Sequence, residues 1–544
     1  MKISKNVSKQ RFILCLGIVG ILVAAYVLKT SDYGFVTGEK AKRRLETYTW
    51  HEESHQVRPV GTPADAFLTR RKLIQEAEER IDIAVFLWRD DTSGRILFDD
   101  LKKACDRGVK VRILSDGVFF LRKLGRVKAM ATAHDNLEIR VFNPLEDQLA
   151  SMDIKSIDNL GWSLDNMNHR FHIKLFTVDG SKTLLGGRNI GDRYFGFAND
   201  YNFIDLDLLI QGAAVEQAET IFTQYWESPL TRSVLDLKDV AAAEPVSKSV
   251  PHPLPERFTK GSIGDEWKTV KRMAIWADAP ETLDTISGYQ PGLLADRLAA
   301  LLGVVEDNVL VTTPYLVLSE RSHDLLQRLR EENEDLTLHF VTNSLAASDN
   351  WQTYSSFHSQ LQWLLEDYRL WIHVKKPHSL REWAGAEESV SSLHTKAWVV
   401  DNKLAAVGSF NFDPRSEIFN SEVMAMVDDT AFAGWLREYL APLHEPENAW
   451  VTAKRDLPIG LEQVDTLAEH LSEWASELTG FQAWSLENVS CYEWVGEKVV
   501  MPEHPKFHEY YKAVGPFPEV KEGDKKKILT TLMQPVSELI KPAL

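Results

Sequence analysis

The sequence has little cysteine. Three residues in 544, Cys15, Cys105 and Cys491, are too few for a disulfide framework and have no metal-ligand spacing. Cys105 and Cys491 are expected as buried thiols rather than as a bridge. Positive charge is also in deficit. The 62 basic and 79 acidic side chains leave a net charge of −17. Nucleic-acid binders usually carry a basic footprint, so this balance argues against that class of partner. It does not exclude an anionic substrate met in a local basic cleft. Long apolar runs are absent but for one, which excludes a polytopic membrane protein. With 44% apolar and 26% charged residues, a disordered or fibrous chain is excluded too. The length suits about two to four domains with cores of their own.

The single apolar run is FILCLGIVGILVAAYVL, residues 12–28, uncharged throughout. At about 1.5 Å per residue it spans roughly 25 Å, the short end of a membrane-crossing helix. No good cleavage site follows, so residues 1–34 are read as a membrane anchor or uncleaved signal segment. Lys2, Lys5, Lys9 and Arg11 precede the run and predict an inside N-terminus with the body outside. Lys40, Lys42, Arg43 and Arg44 on the other side oppose that orientation. The tail 525–544 carries three lysines and then an apolar helical stripe interrupted by Pro535. It suits either a membrane surface or a packing helix.

The body repeats itself. Helical periodicity over 64–79 and 95–107 alternates with strand-like runs at 81–88, 109–114, 137–143 and 172–179. The order recurs with helices at 291–303 and 320–332 and strands at 308–316, 336–343, 370–374 and 394–401. Trp88 and Tyr315 are 227 apart, and His172 and His394 are 222 apart. A near-constant offset indicates a duplicated α/β domain. The Pro-rich stretch 241–258 reads as a linker. Residues after about 446 show no counterpart in the first half.

The chemistry sits at matching places in the two halves. HIKLFTVDGSKTLLGGRN supplies His172, Lys174, Asp179 and Asn189, and HTKAWVVDNKLAAVGSFN supplies His394, Lys396, Asp401 and Asn411. Both read H-x-K-x4-D-x6-G-[GS]-x-N. On a strand, residues two apart point to one face, so each half offers an imidazole, an ammonium and an amide together. Two such sets facing each other make a phosphate site. Lys174, Lys396, Asn189 and Asn411 would bind the non-bridging oxygens. One His can attack phosphorus while the other protonates the leaving oxygen. His169 and His172 form H-x-x-H, but no third ligand supports a metal. Trp474, Trp484 and Trp494 recur every ten residues, which fits no helical turn, and read as separate packing residues.

These motifs resemble the phospholipase D superfamily with its two H-K-D signatures. Within it, FLWRDDTSGRILFDDL, TVDGSKTLLGGRNIGDRYFG, FIDLDLLI, VTNSLAASDN and GSFNFDPRS are similar to the bacterial cardiolipin synthase C group. Gly187 stands where many superfamily members have Ser, and this departure matches that subgroup. The resemblance covers about 55–445. It implies two pseudo-equivalent α/β domains, at 35–240 and 276–445, whose mixed sheets face each other across one cleft. A linker at 241–275 and an extension at 446–544 complete the chain.

The resemblance also implies a mechanism: phosphatidyl transfer through a covalent phosphatidyl-histidine, with His172 as nucleophile and His394 as acid and base. No cofactor or metal is implied, because Lys and Asn donors stabilise the transition state. Asp179 and Asp401 complete the motifs and would fix local structure more than touch phosphate. Asp205 and Glu422, each on the strand after its motif, would hold the His of the opposite half; Asp207 is the runner-up to Asp205. Arg415, Ser416 and Asn420 would stabilise the second motif loop, and Asp192 and Tyr194 occupy the comparable region of the first. The implied reaction makes cardiolipin from phosphatidylglycerol, with phosphatidylglycerol or phosphatidylethanolamine as donor. A macrodomain-type partner protein is associated with the group. The implied place is the bacterial inner membrane, with the body on the periplasmic side. A hydrolytic phospholipase D uses the same residues with water as acceptor and stands as the alternative. A superfamily nuclease is disfavoured by the apolar segment and the acidic charge.

Overall fold

Side-chain caps start several of the covering helices in both halves. Thr62 accepts a hydrogen bond from Asp65 N, and Pro63 occupies the first turn of Pro63–Glu76, where its missing N–H is not needed. Asp91 caps Thr92–Asp106 in the same way. In the second half Ser319 caps Glu320–Glu332 and Asn350 caps Trp351–Glu366. The computed structural model describes residues 35–117, 124–144, 169–237, 254, 258, 263–280, 292–385, 388–455 and 489–520. The segment 12–28, the tail 525–544, Trp474, Trp484 and most of the linker lie outside the described residues. Among the described residues no helix is long and apolar enough to cross a membrane.

The Val- and Ile-rich runs form two large mixed sheets. The first has nine strands. In spatial order they are Thr231–Ser233, Leu137–Phe142, Lys110–Asp116, Arg80–Val85, Leu175–Val178, Lys182–Gly186, Asp207–Gln211, His55–Val60 and Lys268–Val270. The second has ten. They are Met273–Ala277, Val423–Asp428, Leu404–Gly408, Ala397–Val400, Asn308–Thr312, Thr337–Asn343, Trp371–Lys375, Ala449–Lys454, Val489–Trp494 and Tyr511–Gly515. Read in opposite directions, the sheets share one order, apart from Lys268–Val270 and the last two strands of the second. In each sheet two neighbouring pairs are parallel and the rest antiparallel. Ala449–Lys454 takes the place against Trp371–Lys375 that Thr231–Ser233 takes against Leu137–Phe142. The expectation that nothing after 446 has a counterpart is corrected there. A three-residue strand leaves no periodicity to read.

The layers follow from the apolar faces. One outer core packs Pro63–Glu76 and Thr92–Asp106 on the first sheet. Another packs Leu293–Leu302, Glu320–Glu332 and Trp351–Glu366 on the second. Between the sheets lies a core built by both halves, including Leu175, Leu185 and Leu208 from one and Val399, Val407 and Ala425 from the other. Helices Val215–Glu227 and Thr430–Leu440 contribute to it. The halves also exchange ends. Helix Gly38–Glu46 precedes the first sheet in sequence yet buries Ala41 and Leu45 in the core of the second. Cys105 and Cys491 are free and buried.

The motif aspartates sit at the ends of their strands. Asp179 and Asp401 have φ of 49° and 50°, the left-handed conformation that Asp tolerates in turns. The Asp179 carboxylate accepts from the backbone N–H groups of Glu78, Glu79 and Arg80 at 2.8–3.0 Å. Asp401 accepts from Glu306, Asp307 and Asn308 at 2.8–2.9 Å. Each thereby ties its turn to the start of the neighbouring strand.

Candidate active site

Two short parallel strand pairs join the halves. Arg170–Phe171 pairs with Asn420–Ser421, and Tyr201–Ile204 pairs with Val390–Leu393. The next residue on each strand emerges opposite its partner. His172 N donates to Ser421 O at 2.9 Å, and His394 N donates to Ile204 O at 2.7 Å. His172 therefore faces Glu422, and His394 faces Asp205. His172 Nδ1 lies 2.9 and 2.8 Å from the two Glu422 carboxylate oxygens. His394 Nδ1 lies 2.6 Å from Asp205 Oδ2. Each imidazole is held by a carboxylate of the other half. An Nδ1–H donated to the carboxylate leaves the Nε2 lone pair for chemistry. The expected continuous strands are interrupted here: residues 172–174 and 394–396 lie between the short bridging strands and the sheets. Their amides change partners from one half to the other.

Asp207, the runner-up to Asp205, is engaged elsewhere. It lies 3.0 Å from Arg70 and 3.3 Å from Arg188 in a buried ion network. Glu422 is held by donors from its own half: Ser409 Oγ at 2.5 Å, Ser416 Oγ at 2.7 Å and Asn420 Nδ2 at 3.1 Å. The first half has no equivalent of Ser409. A Cβ on Gly187 would stand 2.5 Å from Asp205 Oδ1, so the glycine leaves room for that carboxylate.

Both lysines are buried, and their ammonium groups donate to the carbonyls of His172 and His394 at 2.6 Å. Among the described residues neither forms a direct ion pair. Burial pushes Lys174 well below its usual range and Lys396 down to about 8. Two buried ammonium groups without a carboxylate contact favour an anion between them. Burial and then the lysines also keep His172 well below the ordinary imidazole value. Burial and Lys396 bring His394 down to about 4, opposed by Asp205 and, further out, Asp349. Burial, against Lys174 and the three donors, raises Glu422 to about 7. Burial would raise Asp205 too, but His394 and Lys396 hold it below the usual range. Burial and the neighbouring lysines thus disfavour the imidazolium form of both histidines.

The remaining motif residues separate. Asn189 Oδ1 accepts from Leu87 N at 3.2 Å, and its Nδ2 donates to Tyr194 Oη at 2.9 Å. Tyr194 stands edge-on to His394. Asn411 is buried, and its Oδ1 has no hydrogen-bond partner among the described residues. Asp179 and Asp401 stand at the far ends of their strands, five residues beyond the lysines. Asp192 accepts from Ser93 N at 2.7 Å, and His169 Nδ1 lies 3.1 Å from the Phe419 carbonyl. Residues that sequence reasoning missed also converge here. Arg170 lies buried beside Asp116, whose Oδ2 accepts from Phe171 N at 2.8 Å. Asn343 clamps the backbone of Leu393, immediately before His394. The 227-residue offset aligns Asp116 with Asn343, a signal that was available in the sequence.

A family described as "Cardiolipin synthase, PLD-like domain" matches residues 71–226 and 298–443, which contain both motifs. The chain belongs to this family. Cardiolipin synthase C of Escherichia coli (strain K12) is 30% identical over 401 residues, covering 69% of this chain and 82% of that protein. The major cardiolipin synthase ClsA of Bacillus subtilis (strain 168) is 24% identical over 387 residues, covering 70% and 67%. The crystal structure of phosphatidylserine synthase from Haemophilus influenzae Rd KW20 superimposes with a TM-score of 0.55 at 14% identity. That alignment covers 81% of this chain and 98% of that one, and it shows the shared fold.

The departure at Gly187 yields a test within this cardiolipin synthase family site. Gly187→Ser places side-chain atoms against Asp205 and should cost about 1–3 kcal/mol by overpacking. Chemical denaturation should show the loss, and His394 should lose its close carboxylate. An unchanged midpoint would contradict the steric account.

Proposed function

We propose that this protein transfers a phosphatidyl group from one phospholipid to a hydroxyl of another, making cardiolipin. The observation that carries the reading is the meeting of the two H-x-K sets, each imidazole backed by a carboxylate of the opposite half. Membership of the cardiolipin synthase family favours a lipid hydroxyl over water as acceptor.

The first displacement begins with His172 Nε2, whose lone pair attacks the donor phosphorus. The phosphorus–oxygen bond to the head group breaks, and His394, carrying a proton on Nε2, gives it to the departing oxygen. Lys174, Lys396, Asn189 and Asn411 hold the non-bridging oxygens as charge develops. Entry of the phosphate anion offsets the burial that depresses both lysines and His394, and so favours their charged forms. In the second displacement His394 takes a proton from the incoming hydroxyl. That oxygen attacks phosphorus and the phosphatidyl-histidine bond breaks. Glu422 and Asp205 act through the imidazoles, fixing tautomer and orientation. Phosphatidylglycerol is the acceptor in this reading. Phosphatidylglycerol or phosphatidylethanolamine is the donor.

We further propose that residues 12–28 tether the enzyme to the bacterial inner membrane with its body on the periplasmic side. The basic residues ahead of the run support that orientation. Of the opposing cluster, Lys42 pairs with Glu39 and Glu306, and Arg44 lies 4.0 Å from Asp296. A macrodomain-type partner is included in the proposal as an accessory protein.

Two experiments bear on these readings. His172→Ala and His394→Ala should each lower cardiolipin formation from labelled phosphatidylglycerol by at least about a thousandfold. Acid quench of the wild type should trap label on His172. Label on His394 alone would reverse the roles, and phosphatidic acid as sole product would indicate hydrolysis. Deletion of residues 1–30 should move the protein to the soluble fraction while activity on detergent-dispersed lipid survives. A truncated form that stays fully membrane-bound would place the membrane contact elsewhere.

A further inference from the structure

A site for phosphate gains from positive charge, yet one wall of this cleft carries an exposed carboxylate. Asp349 precedes the helix Trp351–Glu366 and is exposed. Three links tie it to the second motif. The Asn343 side chain both donates to and accepts from the Leu393 backbone at 2.8 Å, and Leu393 precedes His394. The same amide reaches the Pro314 carbonyl at 3.3 Å, and Tyr315 follows Pro314. Tyr315 Oη donates to Asp349 Oδ1 at 2.9 Å. Asp349 and Tyr315 are thereby tied through Asn343 to the residue before His394.

The charge around the cleft is unequal. On the His172 side Arg415 acts on the imidazole and Arg170 lies two residues away, and each faces a buried carboxylate, Asp413 and Asp116 respectively. On the His394 side Asp349 acts on His394, Lys396 and Tyr194. Among the described residues Asp349 forms no ion pair with a basic side chain. A carboxylate in that position accepts hydrogen bonds from hydroxyl and ammonium groups.

We propose that Asp349, oriented by Tyr315, recognises the head-group alcohol on the His394 side by accepting hydrogen bonds from its hydroxyl or ammonium group. The assignment rests on the phosphatidyl-transfer reading with His172 as nucleophile. In-line displacement then puts the leaving and entering oxygens on the side away from His172. Glycerol hydroxyls and the ethanolamine ammonium share the required chemistry, since both donate hydrogen bonds to a carboxylate. Asp349 moves no proton in this scheme; His394 does.

The test uses the full chain in detergent with labelled phosphatidylglycerol, adding glycerol or ethanolamine as soluble acceptors. The readout is the ratio of transfer to hydrolysis, which does not depend on how much of each variant is folded. Asp349→Asn keeps an acceptor for Tyr315 Oη but removes the charge. Tyr315→Phe removes only the orienting bond and serves as the second variant. The expected result is a fall of about tenfold in the ratio for Asp349→Asn and a smaller fall for Tyr315→Phe. A fall confined to glycerol assigns the hydroxyl, and one confined to ethanolamine assigns the ammonium. Ratios unchanged for both acceptors, with the histidine adduct still formed, overturn this assignment alone. No adduct in the wild type overturns the transfer reading and this assignment with it.

Discussion

The arrangement depends on two parallel strand pairs, each only a few residues long, that cross between the halves. Parallel register places residues side by side, so the last paired residues deliver the next ones face to face. Phe171 beside Ser421 delivers His172 to Glu422; Leu393 beside Ile204 delivers His394 to Asp205. Neither half supplies the carboxylate that holds its own imidazole. The site exists only when the halves are docked, and the shared apolar core between the sheets keeps them so. Helix Gly38–Glu46, which reaches across to the other half, adds to that docking.

Burial then supplies the electrostatics. The chain carries a net charge of −17, yet its site buries Lys174 and Lys396 without ion partners among the described residues, beside two imidazoles that burial holds below their ordinary range. Water is largely excluded, so the lysines lose solvation and stand below their ordinary range. An entering phosphate restores their partners. The local charge balance follows from where these few side chains are buried rather than from overall composition.

Much of this was legible in the sequence because it rests on local periodicity. An 18-residue template found twice reports duplication, although the strand expected through each His-x-Lys is interrupted at those residues. Phe176 and Val178 in one half and Trp398 and Val400 in the other alternate as sheet residues should. What depends on contacts between distant residues was less legible. Asp205 and Asp207 share a face, and only the fold separates the partner of His394 from the partner of Arg70 and Arg188. Gly38–Glu46 reads locally as a basic stretch, while its Ala41 and Leu45 are buried in the second half's core. Asp349 gives no periodic signal at all; its place depends on the Asn343 clamp and Tyr315.

Imidazole NMR on the full chain labelled with ¹⁵N-histidine tests the crossed pairing most directly. At neutral pH both His172 and His394 should appear as neutral rings protonated on Nδ1. Asp205→Asn should shift the resonances of His394 and leave His172 in place. Glu422→Gln should do the reverse. If each substitution instead perturbed the imidazole of its own half, the crossed pairing on which the account rests would be contradicted.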